Sequence, residues 1–249
     1  MTDETLGLAL GGGGALGAAH VGVLRAIHER GLHPSIVAGT SAGALVGAAY
    51  AAGIPIRRIE RLVLTASWST FGRLSPSPRL GLLDSSALLD TIDRLGGEPR
   101  IEDLPRRFAA VATDPRARKE VILDRGPLGT ALRASIAVPG LFGPVVEGGR
   151  ILLDGGIMAN LPIRAAYELG ATSVIAVRLR PEWERFNLVP TAASIAAMEG
   201  DPHVVTIRPA LAGMSQWSAS DLTRLIDAGY EAACAALDAS DLEGVRRAS

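Results

Sequence analysis

From Leu32 to Ile56 the chain carries no Asp, Glu, Lys or Arg. A stretch that long without charge is either buried in a protein core or lies in a membrane. A membrane span needs about 20 mostly apolar residues in one helix. Here His33, Pro34, Thr40, Ser41, Pro55 and several glycines interrupt the run. It therefore reads as a buried strand at Ser35 to Ala38, a turn, and a buried Ala-rich helix from Ala42 to Ala52. Gly53 and Pro55 end that helix.

The same alternation runs through the rest of the chain. Leu6 to Leu10, Phe108 to Thr113, Glu120 to Leu123, Ile151 to Leu153, Ser173 to Val177 and Val204 to Ile207 read as strands. Ala15 to Arg30, Arg57 to Ala66, Ser85 to Leu95, Leu128 to Ala137, Ile163 to Leu169 and Ser220 to Leu237 read as helices. Strands alternating with helices predict an α/β fold with a mainly parallel central sheet. Trp68 to Leu83, with its aromatic and proline residues, reads as a lid-like loop, and Arg180 to Pro190 as a polar loop. No linker or repeat divides the chain, so one domain over 1–249 is expected, frayed after Ser240.

Composition narrows the partners. The formal net charge is −1 and aromatics are 4% of 249 residues, so neither a basic footprint nor a stacking platform for nucleic acid is present. Cys234 is the only cysteine, which suits a reducing compartment. The acidic start Met-Thr-Asp-Glu-Thr lacks the basic region of a secretory signal. These features predict a cytoplasmic protein and leave peripheral membrane contact and oligomeric state open.

Two motifs sit at consecutive strand ends. Gly39-Thr40-Ser41-Ala42-Gly43 lies between a short strand and a helix, the setting in which a serine is forced into a strained, exposed turn. Gly11 to Gly14, with Gly17, follow the first strand and open the first helix. Gly12-Gly13-Gly14-Ala15-Leu16-Gly17 formally fits a dinucleotide-binding loop. That use needs an acidic residue about 20 positions on for the ribose, and the second strand ends instead in Ala38-Gly39-Thr40-Ser41. The Lys-Ser/Thr of a phosphate-binding loop is also missing. The other use of such a loop is an oxyanion hole, with backbone N–H groups aimed at a developing negative charge.

A serine nucleophile needs a base. His20, His28 and His33 precede Ser41, and only His203 follows it in the Ser–acid–His order of an α/β-hydrolase. His203 directly precedes a strand, and His20 reads as a packing or capping residue. Asp154, in Asp154-Gly155-Gly156 after a strand, is the better candidate. An aspartate has a reference pKa of about 3.9, so it acts as a base only if desolvated and bonded to the serine.

In order, these blocks resemble the patatin-like phospholipase family in its compact bacterial form. The first is Gly12-Gly13-Gly14-Ala15-x-Gly17 with His20-Val21-Gly22-Val23-Leu24, and the second is Gly39-Thr40-Ser41-Ala42-Gly43. The third is Ala134-Ser135-x-Ala137-x-Pro139 with Phe142 and Pro144. The fourth is Asp154-Gly155-Gly156 with Asn160-Leu161-Pro162. The resemblance implies a three-layer α/β/α sandwich and a Ser41–Asp154 dyad without histidine. It implies an oxyanion hole from Gly12, Gly13 and Gly14 with the Ala42 N–H. It also implies calcium-independent hydrolysis of lipid acyl esters with no metal and no cofactor. Leu16 stands where the family usually has Arg or Lys, and an apolar residue there is expected to pack the loop or to extend an acyl pocket. That departure keeps a second reading in view, a catalytically weak lipid-binding or regulatory protein. A nucleotide-dependent oxidoreductase, the third, rests only on the glycine loop.

Overall fold

The computed structural model describes residues 4–66, 73–74, 82–85, 88, 97, 99–179 and 191–240. Ten strands and seven helices are described within them. The strands β1 (Leu6–Leu10) and β2 (Ile36–Thr40) are each followed by a helical segment. After β1 come a 3-10 turn over Gly14–Ala18 and α1 (Ala19–Glu29). After β2 comes α2 (Ala42–Ala51), then α3 (Ile56–Thr65). β3 (Arg73–Leu74) and β4 (Leu83–Asp84) form a small antiparallel pair. β5 (Arg107–Asp114), β6 (Lys119–Leu123), α4 (Leu128–Ser135), β7 (Val145–Glu147) and β8 (Arg150–Asp154) follow. The chain continues through α5 (Ile163–Glu168), β9 (Ser173–Val177), α6 (Thr191–Glu199), β10 (Val204–Ile207) and α7 (Leu222–Ala239).

The main sheet has the order β10-β9-β1-β2-β5-β8-β7, with β6 also paired to β5. Its two faces carry separate cores because successive side chains of a strand point to opposite sides. Leu8, Leu10, Val37, Ile175 and Val177 join one core with residues of α1, α2, α3, α4 and α7. Ala9, Ile36, Ala38, Val174 and Ala176 join the other with Ile163, Ala165 and Ile195 of α5 and α6. Helices thus cover both faces, and the architecture is the expected three-layer α/β/α sandwich. α1 and α7 pack so closely that a Cβ on Gly22 would lie 1.8 Å from the Ile226 carbonyl oxygen, and one on Gly229 would lie 2.0 Å from that of Ala19.

The sheet is more mixed than the alternation predicts. The pairings from β10 through β9, β1 and β2 to β5 are parallel. β5 with β6, β5 with β8, and β7 with β8 are antiparallel. The cause is local. β7 and β8 are joined only by Gly148 and Gly149, with φ of 55° and 75°, a turn that sends the chain straight back. The β5–β6 hairpin was legible, whereas β7 is too short to register as a periodic run. α6 was not foreseen either, because Thr-Ala-Ala-Ser-Ile-Ala-Ala-Met-Glu is nearly uniform in polarity and shows no amphipathic period. Most of the Ser85 to Leu95 helix, the Arg180 to Pro190 loop and the tail lie outside the described residues, as does most of the lid-like loop.

Candidate functional site

Ser41 sits between β2 and α2 with φ 53° and ψ −121°. A positive φ is costly for a residue with a side chain and persists only where the surroundings enforce it. The enforcement comes from close packing of α2 on the strands. A Cβ on Gly43 would lie 2.1 Å from the Leu10 carbonyl oxygen, and one on Gly39 would lie 2.5 Å from Cα of Ala44. The helix can approach this closely only with glycine at both positions. Ser41 caps α2, and its carbonyl accepts from the amides of Ala44 (2.9 Å) and Leu45 (3.2 Å). The earlier amides of the helix then face the site with the positive end of the helix dipole.

Strand register brings Asp154 to Ser41. β2 runs along one edge of β5 and ends with Thr40 opposite Val111. β8 runs the opposite way and ends with Asp154 opposite Ala112. β6 pairs with Ala110 through Asp114, so it occupies the other edge of β5. β2 and β8 therefore meet head to head along a single edge. The residue after Thr40 and the residue at the end of β8 face one another. Gly155 allows the turn, since a Cβ there would lie 2.2 Å from the Val111 carbonyl oxygen.

Asp154 is buried at 6% exposure. Its Oδ1 accepts from the Gly156 amide at 2.7 Å. Burial pushes its pKa up from 3.8 to about 6, opposed by hydrogen bonding from the Ser41 hydroxyl and from Gly156. Oδ2 is buried and meets full hydrogen-bond geometry with nothing. Ser41 thus lies near enough to act on the carboxyl, although no hydrogen bond of full geometry joins its hydroxyl to Oδ2.

The glycine loop forms the third side. Gly11 donates to Val177 O at 3.0 Å, and Ala15 donates to Gln216 O at 2.8 Å. Gly12 donates to Asn160 O at 3.1 Å, so its amide is already engaged. That corrects the expectation that Gly12 supplies a donor. The amides of Gly13, Gly14 and Ala42 have no backbone acceptor among the described residues. Gly12 still matters sterically, because a Cβ there would lie 2.7 Å from Asn160 Oδ1 and 3.3 Å from Cβ of Ser41. Asn160 and Gln216 both line the site, and sequence reasoning gave neither a role.

No histidine lines the site cavity. His203 is exposed at the start of β10, the sheet end remote from Ser41. His28 and His33 stack edge to face at 5.7 Å, also on the surface. His20 is fully buried, with Nε2 2.8 Å from Gly11 O. Burial lowers its pKa to about 4, so the neutral ring donates to that carbonyl and braces the glycine loop. Among the described residues no three His, Cys, Asp or Glu side chains cluster as a metal site would require.

Ser41, Asp154 and the glycine loop open into a cavity of about 700 Å³. Its wall follows α2 from Ala42 to its C-cap Ala52 and continues over Ile59, Leu62 and Val63 of α3 and Leu128 and Leu132 of α4. Leu141 and Phe142 close another side. Of the lid-like loop, Leu83 donates its amide to Leu141 O at 2.8 Å, so its described end reaches the cavity wall.

Leu16 does not line the cavity, although Ala15 and Gly17 do. It points the other way, 1% exposed, into the core beneath α1 and α7. The expectation of an extended acyl pocket is therefore replaced by a packing role. Leu16→Arg is expected to lower stability by several kcal/mol, because it buries a charge with no partner, and to leave kcat/KM of the folded protein on an ester no higher. Thermal unfolding and ester hydrolysis of the variant check this, and a gain in kcat/KM would count against a packing role.

Fold and site define a class: an α/β/α protein whose strained serine faces a buried aspartate beside a glycine loop. The sequence profile of patatin-like phospholipases matches residues 8–167. An uncharacterised NTE family protein of Mycobacterium tuberculosis is 43% identical over 186 residues, 72% of this chain and 50% of the relative. Human patatin-like phospholipase domain-containing protein 6 is 35% identical over 184 residues, 71% of this chain and 13% of that protein. The crystal structure of VipD from Legionella pneumophila superposes with a TM-score of 0.57 at 15% identity, covering 96% of this chain and 68% of that one. The chain belongs to the patatin-like phospholipase family. It spans about half the length of that Mycobacterium tuberculosis relative.

Proposed function

We propose that this chain is a serine acyl-ester hydrolase of lipids, working through Ser41 and Asp154. The observation that carries the reading is a buried carboxyl with an unsatisfied Oδ2 beside a strained serine at an apolar cavity. Asp154 takes the proton of the Ser41 hydroxyl as Oγ attacks the ester carbonyl. The amides of Gly13, Gly14 and Ala42 stabilise the oxyanion. Collapse expels the alcohol, which takes the proton from Asp154. A water then gives its proton to Asp154 and attacks the acyl-enzyme, and collapse expels Ser41 Oγ, which takes that proton back from Asp154 as the fatty acid leaves. Nucleophile, base and donors all come from the chain, so this sequence of steps requires no calcium or other cofactor.

The cavity supports an acyl substrate. It follows α2 for the whole helix, roughly 15 Å at 1.5 Å per residue, and its walls there are mostly apolar. Exposed Trp217 lines the cavity, and exposed Ile157 follows the lining residue Gly156, which favours substrate arriving from a lipid surface. No described helix is long and apolar enough to cross a membrane, so the contact proposed is peripheral. The alternative of an inactive lipid-binding protein rested on Leu16, and that side chain faces the core rather than the site.

The test is hydrolysis of lysophospholipids, phospholipids and simple esters of varied acyl length, with fluorophosphonate labelling of Ser41. An Asp154 pKa near 6 predicts a single acid limb in kcat/KM. Activity rises as pH climbs through about 6 and then levels, since the base works ionised. A limb near pH 4 would mean that Asp154 stays solvated or is not the base.

A further inference from the structure

Nucleophile and base are held by one helix end. α4 closes with Ser135, a residue with no solvent exposure. The Ser41 amide donates to Ser135 Oγ at 2.9 Å. The same hydroxyl donates to the Val111 carbonyl at 2.7 Å. The direction is fixed by chemistry, because an amide only donates and a carbonyl only accepts. Two residues later, the Ala137 carbonyl accepts from the Asp154 amide at 2.9 Å. Val111 is also the carbonyl against which Gly155 packs and the β5 residue opposite Thr40.

We infer that Ser135 is a positioning residue that sets the distance and angle between Ser41 and Asp154. Ser41 holds a positive φ, and its amide would otherwise have no acceptor at the strand–helix turn. The Ser135 hydroxyl supplies that acceptor and ties the turn to β5. The chain two residues beyond it holds the backbone of Asp154 through Ala137. Both reacting groups are thereby referred to a single rigid element instead of to two separate loops. Without the hydroxyl the strained turn can relax and swing Oγ away from Oδ2. Misplacement of a reacting group by about 1 Å is enough to cost roughly a hundredfold in rate.

The proposal rests on the hydrolase reading for its kinetic test and stands apart from it in a second measurement. Ser135→Ala is expected to slow kcat and fluorophosphonate labelling tenfold to a hundredfold per folded molecule, with KM unchanged. Ser135→Cys keeps the buried volume and accepts hydrogen bonds only weakly, so it should fall in the same direction if the alanine variant folds poorly. Ser135→Thr, which keeps the hydroxyl, should retain more activity than either. Hydrogen exchange of the Ser41 amide should accelerate in Ser135→Ala whether or not the protein hydrolyses esters. Wild-type protein that neither labels nor hydrolyses any ester overturns the hydrolase reading alone, and amide exchange then decides on Ser135. A variant that loses thermal stability but labels at the wild-type rate per folded molecule overturns the positioning role. So does unchanged exchange at Ser41.

Discussion

Ser41→Ala is expected to lower ester hydrolysis by roughly 10⁴-fold or more and to abolish fluorophosphonate labelling, because no acyl-enzyme can form without the hydroxyl. Asp154→Asn should lower kcat by roughly 10²–10⁴-fold, the usual contribution of a positioned general base. The two effects should not add in the double variant, since the aspartate acts only through the serine. KM should change little in each, because neither group lies along the stretch of α2 proposed to hold the acyl chain. The measurement is kcat and KM for the three variants on one ester. Asp154→Asn with full activity would remove the aspartate from the chemistry. His203 would not replace it, as it lies at the far end of the sheet.

The same aspartate should weaken the fold at neutral pH. Its pKa rises from 3.8 to about 6 on folding. A raised folded pKa gives a stability contribution that is full below 3.8 and is lost as pH rises through about 6. His20 acts in the opposite sense. Its pKa falls from 6.5 to about 4. Its contribution is full above 6.5 and is lost as pH falls through about 4. At one pH unit to about 1.4 kcal/mol, each effect is on the order of 3 kcal/mol, and over pH 4 to 6.5 they largely cancel. Asp154→Asn removes one of the pair. The variant should therefore be more stable than wild type at pH 7, by up to about 3 kcal/mol. It should then lose stability on acidification as His20 takes up a proton. Denaturant unfolding at pH 7 and pH 5 reads both, and other carboxylates drop out of the difference between the proteins. Equal stability at pH 7 would mean that water reaches Asp154 in solution. A site held at such a cost to the fold is what the proposed use of Asp154 as a buried base would require.

Much of this arrangement was legible without coordinates. Short apolar runs separated by glycine-rich turns gave the strands, and the charge-free stretch through Ser41 gave a strand, a turn and a buried helix. Local pattern carries such information because burial alternates with the period of each element. Asp154 was legible as a residue at a strand end but not as the neighbour of Ser41. That depends on β8 running antiparallel into the edge of β5 that β2 leaves at Thr40. The reversal follows from a Gly148–Gly149 turn joined to a strand too short to show a period.

What the sequence by itself determined is which segments are buried and where backbone must approach backbone, as at Gly39 and Gly43. What only the tertiary structure decided is which group meets which. The Gly12 amide goes to Asn160 O, while Gly13, Gly14 and Ala42 line the cavity with no backbone acceptor among the described residues. Leu16 turns into the core while its neighbours Ala15 and Gly17 line the cavity. The Ser135 hydroxyl joins the turn after β2, at Ser41, to Val111 of β5. Each of these is a pairing between residues distant along the chain. Hydrophobic period and turn chemistry act over a few residues, whereas such pairings are set by the register of strands and helices after they pack.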